Sequence, residues 1–384
     1  MMTEPLTDDE FYTATPIETG STRGEILRLR EVAVPQLRSV ARAWQIVYVT
    51  SDSYGELIPA SGIVIVPDIA TQVGVGPILG YCPVFRGLGG RCAPSQLLAD
   101  GTEPEADYLA MALDRGWSVA VADGRGLGIT GLGPHTFLAG RCAGQTILDL
   151  TRATQRLPGL NDDTTPIALW GYADGGRNAL WAAEIQHEYA PDLDLRGVAA
   201  GAVVADPGEL VAEIDDGPFA GLGLAGLVGL ARAYAHLPML HILTTEGHLA
   251  VANIENLDAT TILARYRQPL GHWCEQADPW ADPMWRYVLA RERCAQQPPQ
   301  IPVHLYHGTH DTLIPVESAR RLFSDYRGLG VDLNWSEYQV DHLQAATDGA
   351  GEAIAHLADY LQRTPPRSIR STPSTSPPTT TPDS

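Results

Sequence analysis

The sequence predicts an α/β fold with a mostly parallel central sheet, and three observations support this prediction. Short apolar runs recur along the chain and alternate with stretches of helical spacing. These runs lack the regular polar alternation of half-exposed strands, as expected where helices cover both faces of a sheet. One long and mostly helical stretch, residues 207–298, interrupts the alternation and is then followed by further strand and helix patterns.

The elements can be placed in order from these patterns. Two β-rich runs come first, and the turn-like SDSYGEL between them predicts a hairpin. The strand-like runs are 43–49, 60–67, 76–84, 117–123, 166–172, 195–205, 302–308 and 332–338. The helical patterns outside the long interruption lie near 104–115, 143–157, 175–189 and 348–362. Residues 1–40 are mixed in character and are expected to lie across the surface.

The domain organisation follows from the interruption. Residues 1–206 and 299–363 are expected to form one α/β core, and residues 207–298 a helical insertion within it. Residues 364–384 are rich in proline, serine and threonine, a composition that cannot bury enough apolar surface to fold, so we expect a disordered tail.

Composition excludes several classes of function. All 26 basic residues of the 384-residue chain are arginine, so Schiff-base, pyridoxal-phosphate and P-loop chemistries lack the lysine that they require. The net charge of −20 disfavours partners with phosphate backbones and anionic lipid surfaces. No nucleic-acid partner and no cofactor is therefore expected, and the oligomeric state is not indicated.

The sequence also suggests a location. The N-terminal MMTEPLTDDEFY lacks the basic start and apolar stretch of a signal peptide. No uncharged apolar run reaches the ~18 residues that span a bilayer, so we expect no membrane insertion. Five cysteines in a long chain imply no disulfide framework. On these grounds we predict a cytoplasmic protein.

The segment ALWGYADGGRN has the pattern of a nucleophile elbow, the strand–turn–helix unit that carries G-x-S-x-G. The glycine frame is present at Gly171 and Gly175, but Ala173 stands at the serine position, and a methyl group cannot attack a carbonyl. Asp174 follows directly. Its carboxylate is best interpreted as a helix N-terminal charge, while its backbone N–H is a candidate anion donor.

Two further residues complete the pattern. Asp311 comes just after the strand-like run 302–308, and His342 follows the next run. The order nucleophile, acid, histidine is that of the α/β-hydrolase fold. In such a triad the aspartate orients the imidazole and stabilises its protonated form. We therefore predict His342 and Asp311 as catalytic residues beside the substituted position 173.

A metal site is not expected near this pair. His304, His307, His310 and Asp311 are close in sequence. On a strand, however, residues 304 and 307 point to opposite faces of the sheet, so these side chains would not converge on one ion.

With these residues and several further segments, the chain resembles the secretory lipase family, the lipase A-type α/β-hydrolases. The segments are FYTATP, IVYVTSDSYGELIPASGIVIVP, CAPS at 92–95, GLG at 126–128, ALWAAE and YAPDLDLRGVAAGA. The resemblance extends from Phe11 to about Arg363. It implies an α/β-hydrolase core in which residues 207–298 form a helical cap that lines an acyl-chain tunnel, and an apolar or acyl small molecule as substrate. It leaves open whether Cys92 and Cys274 pair.

The chain departs from the family at the oxyanion loop. The family has a His-Gly-Thr motif after the third strand, whereas the spacing to CAPS places Pro83, Val84 and Phe85 there. Proline has no N–H to donate, so at least one backbone donor is missing. Val84, Phe85, Tyr172 and Asp174 are the candidate oxyanion or substrate-binding residues that remain.

Three hypotheses of function follow. The first is a non-standard enzyme in which His342 and Asp311 perform acid–base chemistry, such as a cyclisation, elimination or lyase step, on an acyl or polyketide-like molecule. The second is a carboxylic-ester hydrolase whose nucleophilic serine was replaced by Ala173. The third is a catalytically inactive, lipase-like binding protein.

Overall fold

The computed structural model describes residues 8–68, 76–160 and 162–363, so the expected tail at 364–384 lies outside the described residues. Within them, nine strands form one sheet. In chain order the strands are β1 Ile26–Glu31, β2 Val40–Ser51, β3 Leu57–Pro67, β4 Ile78–Cys82, β5 Ser118–Ala122, β6 Ile167–Tyr172, β7 Leu195–Gly201, β8 Val303–Gly308 and β9 Leu333–Tyr338. Their order across the sheet is β1-β2-β3-β5-β4-β6-β7-β8-β9.

The N-terminal part of the sheet is antiparallel. β2 and β3 form the predicted hairpin, with Ser51 paired to Leu57 next to the turn. β1 pairs antiparallel with β2 at the edge of the sheet, so the expectation that residues 1–40 only cross the surface is wrong. The segment ILRLRE alternates, but no residue in it is fully buried. Its apolar signal is therefore too weak to stand out in the sequence.

The rest of the sheet is parallel from β5 through β9. Strands β4, β6 and β8 are buried at every position, which explains their continuous apolar sequences. Parallel strands end at one common edge. The residues that follow β4, β6, β8 and β9 therefore meet there, and the α/β fold with a mostly parallel sheet is confirmed.

Helices cover this sheet and fill the long interruption. The α-helices of the described residues are α1 Asp8–Phe11, α2 Pro94–Asp100, α3 Ala106–Leu113, α4 Gly140–Gln155, α5 Ala173–Tyr189, α6 Pro207–Ile214, α7 Ala220–Ala233, α8 Thr245–Ile254, α9 Ala259–Arg265, α10 Pro283–Arg291, α11 Val316–Gly328 and α12 His342–Gln362. Short 3-10 turns lie at Met239–Ile242, Leu270–Trp273 and Pro279–Ala281. None of the helices placed in 8–68, 76–160 and 162–363 is long and apolar enough to cross a membrane.

The segment between β7 and β8 is helical, from α6 to α10. Its longest helix, α7, is rich in glycine, and these glycines permit close packing on the core. A Cβ added at Gly229 would lie 2.4 Å from the backbone nitrogen of Phe137. The helical content agrees with the expected insertion, while its division from the core as a separate cap stays a prediction.

A buried ion pair connects this insertion to the elbow helix α5. Arg177 is fully buried and donates to Glu292 at 2.9 Å, just beyond α10. The Glu292 carboxylate also accepts from the backbone N–H of Gly140 and from the Tyr234 hydroxyl, each at 2.8 Å. One carboxylate thus joins α5, the start of α4 and the end of α7.

We predict that Arg177→Met destabilises the protein strongly. The substitution leaves Glu292 buried without its cation, which typically costs about 3–5 kcal/mol in the free energy of unfolding. Arg320→Met is the matched control, because Arg320 pairs with Glu337 at 2.7 Å on the surface, where such pairs contribute about 0–1 kcal/mol. Urea unfolding measures both. Equal losses in the two variants would contradict a special role for the buried pair.

Candidate active site

The elbow between β6 and α5 keeps the backbone of a nucleophile turn. Ala173, its tip, has a φ of 52°, a left-handed conformation that is unfavourable for a residue with a Cβ. The turn also brings α5 very close to β4, since a Cβ at Gly175 would lie 2.1 Å from the Cys82 carbonyl oxygen. The strained turn is therefore present, although its tip carries a methyl group.

The predicted His–Asp pair is formed. The Nδ1 of His342 lies 2.6 Å from an Asp311 carboxylate oxygen, and Asp311 also accepts from the backbone N–H groups of Leu313 at 2.9 Å and Ile314 at 2.8 Å. Burial alone would raise the pKa of Asp311, but hydrogen bonds from His307 and His342 outweigh burial and hold this pKa well below its ordinary value. The carboxylate thus stays ionised and directs the proton to Nδ1, which leaves Nε2 for a bound molecule.

His342 is the first residue of α12, which begins earlier than the expected start near 348. The Asp341 side chain caps this helix by accepting from the backbone N–H of Gln344 at 2.9 Å. An Asp three residues before a Gln is a recognisable helix-start signal, so the sequence contained the information needed to place this start.

Tyr172, predicted as an oxyanion or substrate-binding residue, lies in the wall of the site and also has a structural contact. Its hydroxyl donates to the backbone carbonyl of His342 at 2.6 Å, and the two rings lie 5.1 Å apart. Because burial raises the pKa of Tyr172, the phenol stays neutral and keeps this proton. Tyr172 therefore lines the cavity with its ring while its hydroxyl anchors the start of α12.

The loop after β4 has backbone donors, but carboxylates already occupy them. The Val84 N–H donates to Glu105 at 3.0 Å, and the Phe85 N–H donates to the Asp174 side chain at 2.8 Å. Pro83 has no N–H. The oxyanion role that the sequence suggested for Val84 and Phe85 is thus not available in this arrangement, and the partner Glu105 was not identified from the sequence.

Asp174 is a buried acidic group of the site whose pKa is raised. Its side chain is buried beside the elbow, and burial raises its pKa to about 7, although the hydrogen bond from the Phe85 N–H lowers it in part. An ionised carboxylate here would repel negative charge that develops on a bound acyl group. A protonated one could instead donate a proton.

These residues surround an apolar cavity of about 370 Å³, a size that accommodates a small molecule. Val84, Phe85, Tyr172, Asp174 and His342 line it. Most of the remaining wall is apolar and comes from both the core and the insertion, including Phe137, Leu210, Phe219, Leu222, Leu263 and Leu313.

The histidines near Asp311 separate as expected. His307 stays with Asp311, 3.4 Å from its carboxylate, and approaches the Ile314 carbonyl at 2.8 Å. His304 instead stacks on His356, with ring centroids 4.2 Å apart. All five cysteines are buried free thiols, so Cys92 and Cys274 do not pair.

The sheet order, the elbow, the His–Asp pair at the shared strand edge and the helical insertion define an α/β-hydrolase whose nucleophile position is occupied by alanine. Residues 93–368 match the family model described as Secretory lipase. The chain belongs to this family.

Individual relatives agree with this assignment. The chain is 26% identical to Lipase A of Arthroderma benhamiae over 383 residues, covering 93% of this chain and 80% of the relative. It is 28% identical over 347 residues to a probable inactive lipase of Mycobacterium tuberculosis, covering 85% and 76%. The X-ray structure of Candida antarctica lipase A superposes with a TM-score of 0.82 at 22% identity, covering 94% of this chain and 87% of that one, which shows the shared fold.

The cytoplasmic location predicted from the sequence is wrong. The matching family is that of secretory lipases, which points to an extracellular protein. The prediction used the composition of MMTEPLTDDEFY, whereas the family match covers residues 93–368.

We predict that Ala173→Ser alone restores little ester hydrolysis, whereas Ala173→Ser with Asp174→Gly hydrolyses a short p-nitrophenyl ester about 100-fold faster than the single variant. Removing the Asp174 carboxylate frees the Phe85 N–H, and one oxyanion donor is typically worth about 10²–10³ in rate. Asp174→Gly alone is the control and should stay inactive. Rapid hydrolysis by Ala173→Ser alone would favour the hypothesis of a replaced serine.

We also predict a pH-dependent effect of Asp174→Asn on stability. Between its ordinary value of 3.8 and the raised value of about 7, the folded protein binds more protons at this carboxyl than the unfolded chain. Its contribution to the free energy of unfolding therefore falls as pH rises through this range. Asparagine does not titrate, so this loss is absent from the variant. As pH rises through this range, the free energy of unfolding of the variant should increase relative to that of the parent protein by at most about 1.4 kcal/mol per pH unit.

Urea unfolding at several pH values from 4 to 8 measures this difference. Asp348→Asn, at an exposed position on α12, serves as the control. A difference between the Asp174 variant and the parent that does not change with pH would show that Asp174 titrates normally.

Proposed function

We propose that this protein is an extracellular, lipase-like enzyme that binds an apolar acyl molecule and transfers a proton to or from it with His342, without a serine nucleophile. One observation carries the proposal. The His342–Asp311 pair is fully formed at 2.6 Å beside an apolar cavity, although Ala173 cannot attack.

The substrate class follows from the cavity wall. Aromatic and aliphatic side chains from the core and the insertion form most of it. An alkyl or acyl chain that binds there removes its apolar surface from water, which favours binding. The charged groups in the wall are few, with Asp174, Glu105 and Arg86 beside the loop after β4. They would face the polar end of a bound molecule.

The role of His342 follows from its contacts. With Nδ1 bonded to Asp311, Nε2 would accept a proton from the substrate, and the ionised Asp311 would stabilise the imidazolium. The same nitrogen would then return the proton to the product. Cyclisation, elimination and lyase reactions all use such a step, and the choice among them stays a prediction, as does a polyketide-like substrate.

A second candidate function is binding without catalysis. Two carboxylates occupy the loop donors that an acyl hydrolase would use, and a relative with 28% identity is named a probable inactive lipase. Under this proposal the His–Asp pair serves to hold α12 in place at the rim of the cavity.

The test follows proton transfer directly. The full-length protein is incubated in D₂O with a long-chain acyl thioester, and deuterium at the carbon next to the carbonyl is measured by mass spectrometry. We expect exchange that His342→Ala slows about 10²–10⁴-fold, the usual contribution of a general base. His310→Ala, an exposed histidine in the loop after β8, should exchange like the parent protein.

Binding is measured in parallel by displacement of a fluorescent fatty acid. Tight binding without exchange above background would support the binding protein and contradict the enzyme. Exchange that persists in His342→Ala would also contradict the proposed role of this histidine.

A further inference from the structure

Three side chains of the metal-ligand type converge away from the cavity. His304 lies on β8, while Glu352 and His356 lie on α12 four residues apart, a spacing that places both on one helix face. The candidate ligand atoms of the three residues lie within 4.8 Å of one another. At 1.5 Å per residue, this group is roughly 15–20 Å along α12 from His342.

His304 is the member that requires an explanation. It is fully buried, and neither of its ring nitrogens has a hydrogen-bond partner in the described part of the chain. A neutral imidazole has one donor and one acceptor, and leaving both unpaired in a protein interior is costly. Its contacts are ring faces, with His356 at 4.2 Å and Tyr306 at 5.6 Å between centroids.

Glu352 is held in position for a ligand role. Its carboxylate accepts from the Ser336 hydroxyl at 2.8 Å and from the Tyr338 hydroxyl at 2.5 Å, both on β9. Such supporting bonds orient a ligand carboxylate. An oxygen of Glu352 lies 3.7 Å from Nε2 of His356, and both side chains are partly exposed, with 42% and 25% of their surface accessible. An ion could therefore enter from solvent.

We propose that His304, Glu352 and His356 bind one divalent transition-metal ion, with zinc as the preferred metal. Two imidazole nitrogens and one carboxylate oxygen form a ligand set that zinc accepts, and water would fill the fourth position. The neutral His304 ring, whose nitrogens are unpaired in the described part of the chain, would gain a partner in the metal ion. The Glu352 carboxylate would neutralise part of the metal charge.

Binding requires a local rearrangement. Tetrahedral zinc with bonds of about 2.0–2.1 Å needs ligand atoms about 3.3 Å apart, so the group must contract. The His356 ring must also turn from its stacked position until a nitrogen, rather than a ring face, points to the ion. His356 can make this turn because its side chain is partly exposed, while burial keeps His304 in place.

The consequence is a cross-link between β8 and α12. Because α12 begins with His342, an ion at this position would stabilise the helix that carries the proposed acid–base residue without touching the cavity. The inference does not depend on the proposed function, since it concerns a different group of residues.

Isothermal titration of the full-length protein, without a histidine tag, with zinc chloride tests this site. We expect one zinc ion per chain and, at 100 times the dissociation constant, a rise in melting temperature of about 4 °C. His356→Ala and Glu352→Gln should each weaken zinc binding at least tenfold and, at the same zinc concentration, reduce the rise to about half or less. His187→Ala, an exposed histidine near Glu188, is the matched control and should keep both.

Glu352→Gln addresses the case in which an alanine variant is itself unstable. Ser336 and Tyr338 donate to different oxygens of Glu352; glutamine keeps one oxygen acceptor, and its NH2 group can donate to the other hydroxyl. A cobalt titration adds a direct view of the ligand set, since a four-coordinate ion absorbs strongly in the visible range. Absence of zinc binding would overturn the proposal. Zinc binding that both variants retain would place the ion elsewhere and would overturn it as well.

Discussion

The structure of the site depends on one constraint, the close approach of α5 to the ends of β4, β6 and β7. A Cβ at Gly171 would lie 2.3 Å from the Gly175 carbonyl oxygen, and one at Gly176 would lie 2.9 Å from that of Gly201. Only glycine permits this packing, which fixes Ala173 in its left-handed conformation and aims Asp174 at the loop after β4. Both the elbow and the occupied Phe85 N–H therefore follow from backbone contacts that survive without the serine.

The sequence predicted the fold well, because strands buried on both faces are read from continuous apolar runs. It also predicted the His342–Asp311 pair, since the parallel sheet brings the ends of β8 and β9 together. It missed β1, in which apolar residues alternate with arginine, as is ordinary for an edge strand. It also missed the helices α2 and α11, which lie in the connections that follow β4 and β8.

The carboxylate contacts of the loop could not be predicted. The bond from Phe85 to Asp174 spans 89 positions in sequence, and its length of 2.8 Å requires α5 to lie directly against the loop after β4. The same is true of the bond from Val84 to Glu105, which needs α3 to lie against this loop. Sequence motifs state which groups are present, whereas the partner of each N–H depends on the three-dimensional packing.

The anchoring of His342 has one more consequence. Its backbone is also held through the Tyr172 hydroxyl and the Asp341 cap, so two anchors remain at this point of the chain when the imidazole ring is removed. Truncating this side chain to glycine would leave a ring-sized space bounded by the Tyr172 ring and the Asp311 carboxylate. Free imidazole from solution is the missing part of the side chain and can bind in that space beside the Asp311 carboxylate. The added imidazole would then act as the base in place of the His342 ring.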